Sequence, residues 1–315
     1  MTKSAMRQGM PYGVPPDLVP LNLGRGEQVR AWLERLPAII ASCVEEWHLQ
    51  LRPCFSPLSY NYAAPAILAG GQRAVLKIGY PNRELGSEAA ALAAFDGRGI
   101  VRLLDWKPEY GAMLLEQLLP GTALTRVTSA AEVDDARATS WAAHVMRTLW
   151  REAPADTSPF ATVAQWFEGF ERARHGHGFG QLPSALVDRA EQLYRELLAS
   201  AGPPELLHGD LHHGNILAAG EGSWMAIDPK GLLGERAFDT VALLGNPMPD
   251  IADWPDLPRI LRRRMAQLSE EAGLDRARVE AWALAQTVLS SLDALEDGDD
   301  EGHATAATVA TALMP

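Results

Sequence analysis

The sequence predicts an α+β fold in two parts: a small strand-rich N-terminal lobe and a larger, mainly helical C-terminal lobe. Three observations predict it. The chain has 315 residues, 47% of them hydrophobic, enough for a sizeable core and for two lobes. Residues 49–119 read as short apolar strand-like pieces interrupted by Ser, Pro and Gly. Beyond Pro120-Gly121 the apolar residues recur mostly at helical spacing. The boundary is therefore expected at that break, giving lobes 1–119, with a leading helix at 27–47, and 120–315.

Residues 1–26 are rich in Pro and Gly and are expected to lie loosely on the surface. Over 27–47, Val29, Trp32, Leu33, Leu36, Ile39, Ile40 and Val44 fall on one side of a helix, with Pro37 as a candidate kink. Gly70-Gly71 reads as the turn between strands at 66–68 and 74–76. The second of these continues into Lys77, a charge in an apolar run that needs a partner if the strand is buried. A helix over 81–95 carries Glu84 and Glu88 one turn apart, and Glu88 is the preferred partner. Further strands are expected at 100–104 and 112–119. Helices are expected at 130–153, 166–174, 183–201, 237–244, 260–271 and 276–295. The His175-Gly176-His177-Gly178 segment reads as an exposed turn.

The densest polar segment is 206–231, ending two short strands joined by a Gly220/Gly222 turn. Within it, Asn215 follows Asp210 by five residues and Asp228 follows by eighteen. Phosphoryl transfer needs a carboxylate to orient the attacking hydroxyl. It also needs an amide oxygen and a second carboxylate to hold Mg²⁺ on nucleotide phosphates. The order His208-Gly209-Asp210-x-x-x-x-Asn215, then Asp228, matches the kinase pattern H-R-D-x-x-x-x-N followed by a metal-binding Asp. In that reading Lys77 reaches the nucleotide phosphates, Glu88 pairs with it, and backbone groups around Glu116 to Leu118 face the adenine edge. No G-x-G-x-x-G precedes Lys77; residues 57–66 stand there, and backbone amides of Ser59, Asn61 and Tyr62 are candidate phosphate contacts. A competing reading makes His208, Asp210, His212 and His213 a hydrolytic metal site, but adjacent histidines on a strand face opposite ways. Asp239 has two open readings, an anchor for the catalytic loop or a surface Asp.

Net charge is −12 with a pI of about 5.1, which argues against nucleic-acid binding and is compatible with a cationic small molecule. Cys43 and Cys54 do not make a disulfide framework. There is no secretory signal and no apolar run of membrane-spanning length, so a cytoplasmic protein without membrane contact is expected. A monomer or weak homodimer is the expected assembly. Only ten residues (229–238) separate Asp228 from Asp239, too few for a peptide-binding activation segment, which argues against protein-kinase activity.

Taken together, residues 49–295 resemble the aminoglycoside phosphotransferase family, relatives of the protein kinases. Asp228-Pro229-Lys230-Gly231, Gly234-Glu235 and Phe238-Asp239 resemble its branch of streptomycin 6-kinases and hydroxyurea kinases. The resemblance implies a protein-kinase-like fold with a five-stranded small lobe, and ATP with Mg²⁺ as cosubstrate and cofactor. It implies Asp210 as catalytic base, Asn215 and Asp228 as Mg²⁺ ligands, Lys77 as the phosphate-binding lysine and Glu88 as its partner. It implies transfer to the 6-hydroxyl of streptomycin, conferring resistance. The open alternatives are hydroxyurea or another small metabolite as acceptor, or a nucleotide-binding module without activity. For guanidinium groups of the acceptor, Asp293, Glu296 and Asp297 are candidate contacts, chosen by position and charge.

Overall fold

The computed structural model describes residues 12–314, which separate into two compact units. The first comprises the chain to Gly97 together with Val101–Gln117; the second comprises Arg98–Ile100 and the chain from Leu118 onward.

The first unit is a five-stranded sheet with helices. Two helices precede it, α1 (Leu18–Leu23) and α2 (Glu27–Glu46). The strands β1 (Gln50–Leu51), β2 (Tyr62–Ile67), β3 (Arg73–Ile78), β4 (Leu103–Lys107) and β5 (Ala112–Glu116) lie in the order β1-β2-β3-β5-β4, every pair antiparallel. Helix α3 (Arg83–Phe95) joins β3 to β4. Its start is set by Asn82, whose side chain accepts from the Leu85 amide, an N-cap bond. The core beneath the sheet is built from one face of α2 (Val29, Trp32, Leu33, Leu36, Ile39, Ile40) and the inward residues of β2 and β3 (Ala64, Ala66, Leu76, Ile78). Pro37 lies inside α2.

Two expectations for this unit change. Part of the segment expected to be loose is helical: Leu18 is fully buried, and buried Asn22 donates to the carbonyls of Leu18 and Tyr60 (3.0 and 3.2 Å). Residues 1–11 lie outside the described residues. The strand expected at 100–104 forms three residues later, because Ile100 instead bridges to Ala226 in the second unit and the Ala226 amide donates to Gly99 O. A backbone group already paired elsewhere cannot join the sheet.

The second unit is mainly helical. Its long helices are α4 (Glu132–Leu149), then, after β6 (Arg151–Glu152), β7 (Ala161–Thr162), the short α5 (Val163–Trp166) and α6 (Glu168–His175), helix α7 (Ser184–Ala199). The polar segment contributes β8 (Glu205–Leu207), the hairpin β9 (Ile216–Ala218) and β10 (Trp224–Ala226), and β11 (Leu232–Gly234). Strands β6, β8, β11 and β7 form a small sheet in that order. The unit ends with α8 (Val241–Leu244), α9 (Leu257–Ala272), α10 (Arg276–Glu296) and α11 (Asp300–Ala312). The helix expected at 237–244 is a 3₁₀ turn, Arg236–Thr240, running into α8. Helix α11 has no counterpart among the expected elements. Its buried residues are Gly302, His303, Thr305, Ala306, Ala307, Val309 and Ala310, mostly small or polar, so they carry a weak apolar signal although they pack closely on α10. Among the described residues no helix is long and apolar enough to cross a membrane.

Candidate active site

Lys77 lies on β3 opposite Ala63 and Met113, and its side chain is buried. Its Nζ is 2.5 Å from Oε1 of Glu88, itself buried on α3, whereas Glu84 is exposed on the first turn. Burying two charges is costly unless they meet, and here they meet. Glu116 closes β5; its amide donates to Arg102 O, so that N–H is engaged inside the first unit. Leu118 is the first residue of the second unit's main segment. Of the loop candidates, Tyr62 is the buried first residue of β2, and Ser59 and Asn61 precede it.

The polar loop is built around Asp239. The His208 and Gly209 amides donate to its two carboxylate oxygens (3.1 and 2.8 Å), and Trp150 Nε1 donates to Oδ2 at 3.0 Å. Asp239 is therefore an anchor and not a surface residue. The His208 ring crosslinks the loop: Nδ1 accepts from the Asp210 amide (3.2 Å), so the proton sits on Nε2, which donates to Ile227 O (2.8 Å). Burial lowers the imidazole below its ordinary value, matching a neutral ring, and burial raises the Asp239 carboxyl against the pull of His208 and of the three donors. Gly209 has φ +82°, and a Cβ there would sit 3.0 Å from that of Leu232, so both backbone conformation and space select glycine.

Asp210 follows this turn. The side-chain nitrogen of Asn215 donates to Asp210 O at 3.0 Å, which turns its amide oxygen the other way. The hairpin register pairs Ile216 with Ala226, and the Ile227 amide donates to Asn215 O (2.9 Å), so Asn215 and Asp228 stand at the same end of the hairpin. Asp228 has φ +57°, a left-handed conformation uncommon for Asp. The chain then turns back, with the Lys230 amide donating to His208 O, and brings the Lys230 ammonium to 3.7 Å from the Asp210 carboxylate and over the Trp166 ring. Asn215 and Asp228 suit Mg²⁺, a hard cation that takes one or two protein oxygens and completes its shell with phosphate and water. The histidines have other roles. His212 Nδ1 accepts from the Gly214 amide, and His213 is fully buried, with burial, helped by Arg264, holding its imidazole well below the ordinary value. Among the described residues no group of three or more His, Cys, Asp or Glu could hold a metal ion, so the hydrolytic metal site is not formed.

Beside Asp210 a pocket of about 180 Å³ opens within the second unit. Its lining includes Lys230, Trp166, Phe238, Met248, Gln286 and Thr287. Lys230, Gln286 and Thr287 were not among the expected site residues. One signal was present, since Gln286 is a polar residue on the otherwise apolar face of its helix. Asp293 and Glu296 do not line this pocket; both accept from Arg172, at 3.2 and 2.9 Å, while Asp297 ends α10 in an exposed position.

This architecture is shared with solved kinases that act on small molecules. The chain superposes on the ethanolamine kinase of Plasmodium vivax with a TM-score of 0.62 and 12% identity, covering 91% of this chain and 89% of that one. The fold is thus α+β and protein-kinase-like, with a small antiparallel sheet and a larger helical region. Residues 59–298 match the family described as aminoglycoside/hydroxyurea antibiotic resistance kinase. A streptomycin 6-kinase of Streptomyces glaucescens is 33% identical over 298 residues, covering 91% of this chain and 92% of the relative. A hydroxyurea phosphotransferase of Kitasatospora aureofaciens is 33% identical over 307 residues, covering 93% and 83%. The chain belongs to the aminoglycoside/hydroxyurea antibiotic resistance kinases, a phosphotransferase family whose fold implies the use of ATP.

Proposed function

We propose that the chain transfers the γ-phosphoryl group of ATP to a hydroxyl of an aminoglycoside, with the 6-hydroxyl of streptomycin as first candidate. The observation that carries this reading is the loop that holds Asp210, Asn215 and Asp228 in kinase order, with Asp210 opening onto a pocket. The similarity to streptomycin 6-kinases along almost the whole chain supports the acceptor.

In this mechanism Asp210 accepts the hydrogen bond of the acceptor hydroxyl and takes its proton late, as the new O–P bond forms and the bond to ADP breaks. Lys230, beside Asp210, adds positive charge near the transferring group. Asn215 and Asp228 hold Mg²⁺, which when bound offsets charge on the nucleotide phosphates. Lys77, oriented by Glu88, binds phosphate oxygens of the nucleotide, and backbone groups from Glu116 to Leu118 meet the adenine. Asp293, Glu296 and Asp297 stand as candidate outer contacts for a cationic acceptor, with Arg172 a competitor for the first two.

A second reading, hydroxyurea as acceptor, is favoured by the equal identity to a hydroxyurea phosphotransferase. ADP release with Mg-ATP plus streptomycin or hydroxyurea, in the wild type and in Asp210→Ala, tests both. Streptomycin-dependent turnover lost in Asp210→Ala supports the first reading. Turnover with hydroxyurea alone transfers support to the second.

A further inference from the structure

The pocket beside Asp210 has an unusual wall. Gln286 and Thr287 come from the middle of α10, and each is only 4% exposed. Gln286 Nε2 donates to Ser290 Oγ at 3.3 Å, but Gln286 Oε1 and Thr287 Oγ1 have no hydrogen-bond partner. Buried polar atoms are almost always satisfied, because leaving one bare forfeits its hydration. Gln286 and Thr287 both line one pocket, and their two bare oxygens are accounted for if a turn of each side chain brings them to a ligand there.

The rest of the lining restricts that ligand. Its charged groups are Asp210 and Lys230, which face each other, and Asp239, whose oxygens already accept three donors. No further carboxylate borders the pocket, since Asp293 and Glu296 lie outside it against Arg172. Trp166, Phe238, Met248 and Val309 supply flat or apolar surface. The chemistry that fits is a ring with a carbon face for these side chains and an edge of O–H or N–H groups, one of them the hydroxyl presented to Asp210.

We propose that Gln286 and Thr287 are the residues that select the acceptor: Gln286 Oε1 takes an O–H or N–H donor of a polyhydroxylated ring, and Thr287 Oγ1 bonds a neighbouring ring substituent. Selection here works by neutral hydrogen bonds and ring packing, not by a cage of carboxylates. The proposal rests on Asp210 marking the acceptor side of the site.

The test uses the full chain, with streptomycin as probe, and compares Gln286→Leu, Thr287→Val and Gln286→Glu with the wild type. Three quantities are read: thermal stability without acceptor, affinity for Mg-ADP, and affinity for streptomycin. Thr287→Val removes only a bare polar atom and should be at least as stable as the wild type; Gln286→Leu removes one together with the long bond to exposed Ser290, and should be about as stable as the wild type. Mg-ADP affinity should not change, while streptomycin affinity should fall about tenfold, the effect of one lost hydrogen bond. Gln286→Glu keeps an acceptor oxygen and should bind streptomycin within a few-fold of the wild type. Lower stability with unchanged streptomycin affinity in both apolar variants would overturn the proposal and leave the aminoglycoside reading intact. A wild type that binds Mg-ADP and phosphorylates hydroxyurea but not streptomycin would overturn both, since hydroxyurea has no ring to read.

Discussion

Asp239 accepts hydrogen bonds from the backbone amides of His208 and Gly209, one on each carboxylate oxygen, although it lies thirty-one and thirty residues further along the chain than they do. The pair of bonds fixes the turn from which Asp210 projects. Asp239→Asn places an amide NH₂ against a backbone N–H and leaves a buried donor unpaired. The expected loss is about 3 kcal/mol of stability, from the range for hydrogen bonds to charged groups. Transfer should fall with it even at temperatures where the variant is folded. Urea unfolding and turnover on the same preparation check this; full activity in a folded variant would show that the loop holds its shape unaided.

Lys230 is the second residue whose position is expected to bear on rate. Its ammonium is partly exposed, so its effect on stability should be small. Its effect on the charged transition state should be larger. Lys230→Met is expected to lower kcat about tenfold to a hundredfold, somewhat less than the loss of a full oxyanion donor, with a smaller change in acceptor KM. Lys230→Arg should retain most of the rate. Equal kcat in Lys230→Met and wild type would make the ion pair incidental.

The Lys77–Glu88 pair separates stability from function. Glu88→Leu alone leaves a buried ammonium without this carboxylate and should cost about 3 kcal/mol or more. Lys77→Met with Glu88→Leu removes both charges and should recover most of that loss, because an apolar pair of similar volume needs no desolvation. Nucleotide affinity should remain weak in the double variant. A double variant that is both stable and fully active would remove Lys77 from the mechanism.

Asp293 gives a pH signature. Burial, with Glu296 and Asp297 adding to it and Arg172 and Lys230 opposing, pushes its carboxyl from 3.8 up to about 6. Tyr194, whose own hydroxyl is raised by burial and by Asp293, also faces it. Between about pH 4 and 6 the folded chain therefore binds more protons at this site than the unfolded chain. Its contribution to stability is fully present below the unfolded value and is lost as pH rises through about 6. Asp293→Asn cannot titrate, so its thermal midpoint should gain on the wild type as pH rises across that window and run parallel above it. Scans at several pH values read the gap directly; a gap independent of pH would rule the shift out.

Asn215 and Asp228 are expected to set the Mg²⁺ requirement. Asp228→Asn keeps the shape but removes a charge, and should raise the Mg²⁺ concentration for half-maximal turnover at least tenfold, in line with the electrostatic cost of one lost ligand charge. An unchanged Mg²⁺ curve would reassign the metal to other groups.

Much of this protein was legible in the chain itself, because local physics writes it there. The apolar stripe of α2, the Gly70-Gly71 hairpin and the long helices α4, α7 and α10 follow from the spacing of buried side chains, which is a property of sequence. The order Asp210, Asn215, Asp228 was equally legible, since one loop and one hairpin carry all three. What only the tertiary structure decided are the partners brought from far along the chain. Asp239 had two readings until its oxygens were seen on the His208 and Gly209 amides. Ile100 looked like a strand residue of the first sheet until its bridge to Ala226 was seen, and α11 was hidden by its small side chains. The acidic residues near the end of α10 read as ligand contacts by position and charge, but Arg172 meets Asp293 and Glu296 from another helix. Gln286 and Thr287 read as helix positions until the structure placed both in the lining of the pocket with unpartnered side-chain oxygens. Periodicity fixes which face of an element is buried, but it carries no information about which distant group that face meets, and a hydrogen bond depends on that meeting.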